Sequence, residues 1–342
     1  MKNITLGMTG ITVPQNGFGA LPMQRVSTEE AVSLVRKAYE GGMRYFDTAR
    51  AYSDSEEKLG IAIQGFRENI YVATKTHAQT PEGFWKDLET SLTLLKTDYI
   101  DVYQLHQADI CFKPGDGTGM YECMIEAKKQ GKIKHIGITA HKIGVAMEAA
   151  ESGLYEMLMF PFSYLSGDKE FELLEACRKN NVGFVSMKAL AGGLINRYDA
   201  AMAFINEYDD VLPIWGIQKQ EELDQWLSCF ENTPVMNDEI RTYIENEKKE
   251  LAGDFCRGCG YCEPCPAGIM IHQCARMSLM LRRAPSDAWL TPFWQDEMKK
   301  IENCLHCGTC ASRCPYELNT PELLQKNYED YKNVLAGKTK VK

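Results

Sequence analysis

Nine of the thirteen cysteines of this chain fall between Cys256 and Cys314, and eight of those nine stand in two tight runs. The first run is Cys256, Cys259, Cys262 and Cys265, followed by Pro266. The second is Cys304, Cys307, Cys310 and Cys314, followed by Pro315. Thiolates at i, i+3 and i+6 let one loop wrap three corners of an iron–sulfur cubane, and the fourth cysteine of such a run ligates the other cluster. The spacing therefore predicts one 4Fe-4S cluster on Cys256, Cys259, Cys262 and Cys314, and a second on Cys304, Cys307, Cys310 and Cys265. The first run is one residue shorter before its last cysteine than the second. Two zinc sites of four cysteines each are the alternative, but tetrahedral zinc uses spaced pairs of ligands and has no need of a tight triple. Cys274 and the scattered Cys111, Cys123, Cys177 and Cys229 are expected to be packing thiols.

A second set could do acid–base work. Asp47, Lys75 and His106 end three apolar runs, and Tyr52 follows the first of them. A tyrosine of ordinary pKa near ~10 is a poor acid at neutral pH. A neighbouring ammonium favours the phenolate, so Lys75 is expected to lower the pKa of Tyr52. Asp47 would keep Lys75 protonated and fixed. His106 would orient a carbonyl oxygen or pass a proton. Tyr52 would then be the general acid for carbonyl reduction and the base for alcohol oxidation.

These side chains need a frame. From about residue 16 to 230, short apolar runs alternate with longer amphipathic ones, the pattern of βα units on a parallel sheet. Strands are predicted near 16–20, 43–47, 70–75, 100–106, 134–139, 156–160, 182–187 and 211–216. Helices are predicted near 28–41, 54–65, 81–96, 120–131, 143–152, 168–181, 198–208 and 220–230. Ser27 and Glu30 have the spacing of a capping box before the first helix. Eight strands and eight helices make a closed (β/α)8 TIM barrel, an α/β fold whose chemistry sits at the carboxyl ends of the strands. An open dinucleotide-binding sheet would carry G-x-G-x-x-G after its first strand, and Gly17-Phe18-Gly19-Ala20-Leu21-Pro22 does not complete that motif. Residues 4–13 read as a short N-terminal hairpin ahead of the barrel. The expected division is a barrel over 1–232, a helical linker over 233–253, a small ferredoxin-like Cys-rich domain over 254–330 and a flexible tail over 331–342. The Cys-rich segment reads as poor in apolar material and dependent on metal for its shape.

The totals narrow the partners. A net charge of −9 repels polyanions, so no nucleic acid is expected. No stretch approaches the ~20 apolar residues of a membrane span. The first residues carry no long apolar run before a small-residue cleavage site, and clustered cysteines without one suit a reducing compartment, so a cytoplasmic location is expected.

The run Gly41-Gly42-Met43-Arg44-Tyr45-Phe46-Asp47-Thr48-Ala49-Arg50-Ala51-Tyr52, with Ser55-Glu56 and Leu59-Gly60, closely resembles the aldo-keto reductase signature. So do Val72-Ala73-Thr74-Lys75 and Asp98-Tyr99-Ile100-Asp101-Val102-Tyr103-Gln104-Leu105-His106. The Cys-rich segment resembles the ferredoxin-like 4Fe-4S dicluster extension of one branch of that family. The resemblance implies that Asp47, Tyr52, Lys75 and His106 form the catalytic tetrad. It also implies hydride transfer between NAD(P)H and a small-molecule carbonyl or alcohol, with no metal in the barrel. Of the positions that grip the nicotinamide amide in the family, this chain has Thr139, Ala140 and Met159, and only Thr139 keeps a polar side chain. Ser163 or His141 would supply the missing grip, and Met187 stands where an aromatic ring stacks on the nicotinamide. The loop from Lys188 through Leu190 to Gly192 and Gly193 resembles the pyrophosphate loop, and Lys219 is the one cation near a 2′-phosphate.

Hydride donors move two electrons and iron–sulfur clusters move one. A flavin could mediate, although no flavin motif stands in the chain. The expected function is an oxidoreductase of aldo-keto reductase type whose two clusters exchange electrons with ferredoxin or another carrier. The alternative is an electron-transfer or redox-sensing protein that uses its barrel as a docking scaffold.

Overall fold

The computed structural model describes residues 1–251, 255–283 and 286–341. The expected boundary between residues 253 and 254 lies outside them. The chain divides into two compact units, residues 1–189 with 197–241, and residues 190–196 with 242–342.

The first unit opens with a hairpin of β1 (Asn3–Thr5) and β2 (Thr12–Pro14). Eight parallel strands then close into a barrel. They are β3 (Gly17–Gly19), β4 (Tyr45–Asp47), β5 (Tyr71–Thr76), β6 (Ile100–Leu105), β7 (Ile133–Thr139), β8 (Met157–Pro161), β9 (Gly183–Met187) and β10 (Val211–Gly216). Their order around the barrel follows the chain, and β10 closes on β3 through Ile214 opposite Gly17. Each strand matches its predicted run within about two residues. The hairpin's Ile4, Leu6, Ile11 and Val13 pack with Tyr45, Ala73, Val102, Met157, Val185 and Leu212 of the barrel interior. Tyr45 and Met157 begin their strands, so the hairpin seals the amino end and leaves the carboxyl end for chemistry.

The helices of the barrel are α1 (Thr28–Glu40), α2 (Ser55–Ala62), α3 (Pro81–Leu95), α4 (Met120–Lys129), α5 (Ile143–Glu151), α6 (Asp168–Lys179), α7 (Tyr198–Ile205) and α8 (Gln220–Glu231). The predicted capping box forms at α1. Ser27 Oγ accepts from the Glu30 amide at 3.2 Å, and Glu30 Oε2 accepts from the Ser27 amide at 2.9 Å. Ala31, Leu34, Val35 and Ala38 recur at three and four residues and form the buried face of this helix. Truncating Leu34 to alanine should cost ~2–5 kcal/mol.

The second unit is helical among its described residues. Its part of α9 (Asp238–Glu250) is followed by α10 (Ile271–Cys274), α11 (Met277–Arg283), α12 (Pro292–Lys299), α13 (Thr309–Ser312) and α14 (Thr320–Leu335). Two expectations change here. The Cys-rich segment has an apolar core of its own, built on Ile269, Met277, Leu281, Met298, Ile301 and Leu324. Met277 and Leu281, four residues apart on α11, and Met298 and Ile301, three apart, keep the spacing of buried helix faces, which the many cysteines, glycines and prolines around them dilute in composition. Residues 331–335, assigned from sequence to a flexible tail, continue α14 and bury Tyr331 and Val334. Cys274 is fully buried, and Cys111, Cys123, Cys177 and Cys229 are buried in the barrel unit, as packing thiols should be. Among the described residues no helix is long and apolar enough to cross a membrane.

Candidate active site and thiol cavities

Parallel closure puts the carboxyl ends of β4, β5 and β6 side by side. Asp47 is the last residue of β4, Lys75 the last but one of β5, and His106 follows β6 with its amide bonded to the Thr76 carbonyl. Lys75 Nζ donates to Asp47 Oδ1 at 2.5 Å and to the Thr48 carbonyl at 2.6 Å. Both side chains of the pair are fully buried. The Gln104 amide adds a bond to Asp47 Oδ2 at 3.3 Å. Tyr52, partly buried on the loop after β4, has its ring centre 5.1 Å from Lys75 Nζ and 5.7 Å from the His106 ring, which it meets edge-on. The four side chains expected to act together therefore come together, and His77 joins them with its ring 4.1 Å from that of His106.

The electrostatics differ from expectation in one respect. Burial pushes the Tyr52 phenol above its ordinary pKa, and the Lys75 ammonium pulls it down by less. Desolvation of the phenolate on a closed barrel rim could not be read from residue types. Burial also raises Asp47, against the pull of Lys75 and Gln104. His106 is held well below its ordinary value, first by burial and then by Lys75, His77 and His141, so its imidazole is neutral. Its Nδ1 is buried without a hydrogen-bond partner among the described residues. Gln104 was missed from sequence. The alternation of β6 could have found it, because a buried amide two residues before His106 faces the same interior as the strand ends.

The expected nucleotide contacts divide between the units. Thr139 Oγ1 accepts from the Gln107 amide at 2.7 Å, and Ser163 Oγ accepts from the Leu165 amide at 3.2 Å. Each hydroxyl keeps its own proton as a donor, which suits a carboxamide oxygen. Met187 ends β9 partly exposed, and Lys188 follows in the left-handed region at φ 53°. Lys219 is exposed, and its amide and that of Gln218 both donate to the Glu222 carboxylate, at 3.0 and 2.8 Å. A carboxylate thus holds the amides that lead into α8. Leu190, Gly192 and Gly193 group with the second unit, where the Gly192 carbonyl accepts from Arg276 at 3.0 Å.

In the second unit the two cysteine runs interleave. One cavity of about 340 Å³, open solvent included, is lined by Cys256, Cys259, Cys262 and Cys314. Another of about 400 Å³ is lined by Cys265, Cys304, Cys307 and Cys310, and Cys262 borders it as well. Among the described residues no three acidic, cysteine or histidine side chains are grouped as ligands of a single metal ion. Burial raises the Cys256, Cys262 and Cys310 thiols. A metal's positive charge is what makes ionised thiolates stable in such surroundings, so the donor set fits a thiolate-bound cluster.

Comparison with known proteins adds family likeness. Residues 4–207, more than half of the chain, match the model of the aldo/keto reductase family, and residues 255–319 match that of a 4Fe-4S dicluster domain. The chain is 30% identical over 209 residues to YqkF, an uncharacterized oxidoreductase of Bacillus subtilis, in an alignment covering 57% of this chain and 67% of that one. It is 30% identical over 210 residues to L-galactose dehydrogenase of Arabidopsis thaliana, covering 56% of this chain and 66% of the relative. The chain thus spans about two thirds of the length of these curated relatives. An aldo-keto reductase of Bacillus halodurans in its holo form superposes with a TM-score of 0.63 at 24% identity, over 72% of this chain and 96% of that one. One from Klebsiella pneumoniae in complex with NADPH gives 0.58 at 21% identity, over 72% and 95%. These two structures share the fold with this chain.

Proposed function

The chain belongs to the aldo/keto reductase family of oxidoreductases and carries a 4Fe-4S dicluster domain, and from that premise we infer that it reduces the carbonyl of a small molecule, or oxidises the corresponding alcohol, with NAD(P)H. Cys256, Cys259, Cys262 and Cys314 would hold one 4Fe-4S cluster and Cys304, Cys307, Cys310 and Cys265 a second, for electron exchange with ferredoxin or another carrier. When bound, the nicotinamide supplies or accepts a hydride, and the clusters supply or accept single electrons. Thr139 and Ser163 would hold its carboxamide, Met187 its ring face, and Lys188 and Lys219 its phosphates.

The observation that carries this reading is the convergence of Tyr52, Lys75 and His106 beside the buried Asp47. A raised pKa keeps Tyr52 protonated over the whole neutral range. Its proton passes to the carbonyl oxygen as the carbon gains hydride, and a neutral His106 orients that oxygen by a hydrogen bond without giving up a charge. Lys75 stabilises the phenolate left behind, because an ammonium beside it offsets part of its desolvation. Asp47 and the Thr48 carbonyl fix the ammonium so that no reorganisation is needed when charge develops.

Anaerobically purified protein is the test material. Iron and sulfide analysis with low-temperature EPR, and binding of NADPH and NADH followed by intrinsic fluorescence, address the two halves separately. Protein with zinc in place of iron and sulfide would remove the clusters. Failure to bind either nucleotide would remove the hydride chemistry.

A further inference from the structure

Arg276 is a buried cation with no carboxylate partner among the described residues. The residue is 7% exposed. Its Nε and Nη2 donate to Gln273 Oε1 at 3.1 and 2.8 Å, and Nη1 donates to the Gly192 carbonyl at 3.0 Å. Both acceptors are neutral. Among the described residues it forms no ion pair with Asp or Glu, whereas the similarly buried Arg283 pairs with Glu247 at 2.6 Å. A buried guanidinium cannot shed its proton, and an unpaired buried charge is costly.

The surroundings show which anion it serves. Gly258 lies under the guanidinium. A Cβ there would stand 2.8 Å from Nη1 and 3.0 Å from Cζ, and the Gly258 amide donates to Cys256 Sγ at 3.4 Å. On the other side a Cβ at Gly192 would stand 2.7 Å from Nη1. Both glycines have positive φ, 64° and 68°. Two backbone segments are thus stripped of side chains to seat one cation beside Cys256.

We propose that Arg276 is a positioning residue whose counter-charge is the cluster held by Cys256, Cys259, Cys262 and Cys314, and that it raises the reduction potential of that cluster. Four thiolates outweigh the positive iron–sulfide core, so the assembly is anionic and gains one further negative charge on accepting an electron. No proton need accompany that electron. A fixed cation stabilises the reduced form more than the oxidised one, and net charge and hydrogen bonding at sulfur are what set such potentials. The inference rests on the reading of these cysteines as cluster ligands.

The test is a redox titration of the anaerobic full-length protein with dithionite, followed by EPR. In Arg276→Gln one of the two midpoints should fall by about tenfold in the equilibrium constant for one-electron reduction, ~59 mV, while the other stays in place. Arg276→Lys should retain most of the wild-type value. Gln273→Glu, which offers the guanidinium a carboxylate, should lower the same midpoint. Unmoved midpoints in Arg276→Gln, equal shifts of both clusters, or a lysine variant that falls as far as glutamine would each overturn the proposal. If Arg276→Gln fails to load its cluster, Gln273→Glu decides, and an unchanged midpoint there overturns it. Wild-type protein lacking iron and sulfide would instead overturn the ligand reading.

Discussion

Lys75 Nζ stands 5.1 Å from the centre of the Tyr52 ring, yet the phenol lies above its ordinary pKa, because loss of water around a phenolate outweighs one nearby ammonium. The arrangement favours a proton donor at rest over a proton acceptor. The two directions of the reaction should therefore respond oppositely to pH. With Tyr52 in its proposed role as acid, carbonyl reduction would need the phenol and should stay level through neutrality, falling only as pH passes above the ordinary tyrosine value of ~10. Alcohol oxidation needs the phenolate and should climb with pH over the same range. Tyr52→Phe should lower kcat by ~10²–10⁴-fold in both directions. Profiles of kcat/KM in each direction check this, and a reductive limb falling near pH 7 would contradict it.

The same burial makes the ion pair beneath Tyr52 a structural commitment. Lys75→Met leaves the enclosed Asp47 carboxylate with the Gln104 amide as its one remaining side-chain partner among the described residues, and should destabilise the barrel by ~3–5 kcal/mol. Adding Asp47→Asn to that variant removes the orphaned charge and should restore a large part of the loss. Urea denaturation of the single and double variants measures the difference. A double variant no more stable than Lys75→Met would show that the charge is not what costs.

Two buried histidines tie stability to mildly acidic pH. His106 and His141 both lie well below the ordinary histidine pKa, chiefly through burial. Their pKa is near ~6.5 in the unfolded chain, so the unfolded state binds more protons at lower pH. Their contribution is fully present above ~6.5 and is lost as pH falls below it, at up to ~1.4 kcal/mol per pH unit for each histidine. His141→Asn should reduce this slope between pH 6.5 and 5.5, as followed by chemical denaturation. An unchanged slope would place the acid sensitivity elsewhere.

The barrel was legible because its signals are local. Period-two runs, the Ser27–Glu30 cap and one polar residue at each strand end fix the elements, and parallel closure then brings Asp47, Lys75 and His106 together without further information. The cysteine runs were legible for the same reason, as spacing alone pairs Cys314 with Cys256 and Cys265 with Cys304. What stayed hidden depends on three-dimensional surroundings. The raised pKa of Tyr52 comes from its burial beside Lys75 and His106. Arg276 reads in sequence as one more charged residue, and its burial emerges only where Gly192 and Gly258, 66 positions apart in the chain, meet around it. The end of α14 was within reach of the sequence, since Tyr331 and Val334 continue the stripe of Leu324 and Tyr328 at three- and four-residue spacing, and only the polar run after Gly337 argues for a tail.

The crossed ligand sets provide the sharpest test of the second unit. If each contiguous run held its own cluster, Cys314→Ala and Cys307→Ala would disable the same one. The cavities argue for the opposite, since Cys314 borders the space of Cys256, Cys259 and Cys262, while Cys307 borders that of Cys265, Cys304 and Cys310. Cys314→Ala should therefore abolish the same EPR signal as Cys256→Ala, and Cys307→Ala the same signal as Cys265→Ala. Each variant should keep about half of the wild-type iron, because three remaining thiolates hold a cubane poorly while the other set is complete. Cys307 is exposed and removes no core packing, so the melting of its alanine variant above the cluster transition should match wild type. Loss of the same signal from Cys314→Ala and Cys307→Ala would replace the crossed assignment with a contiguous one.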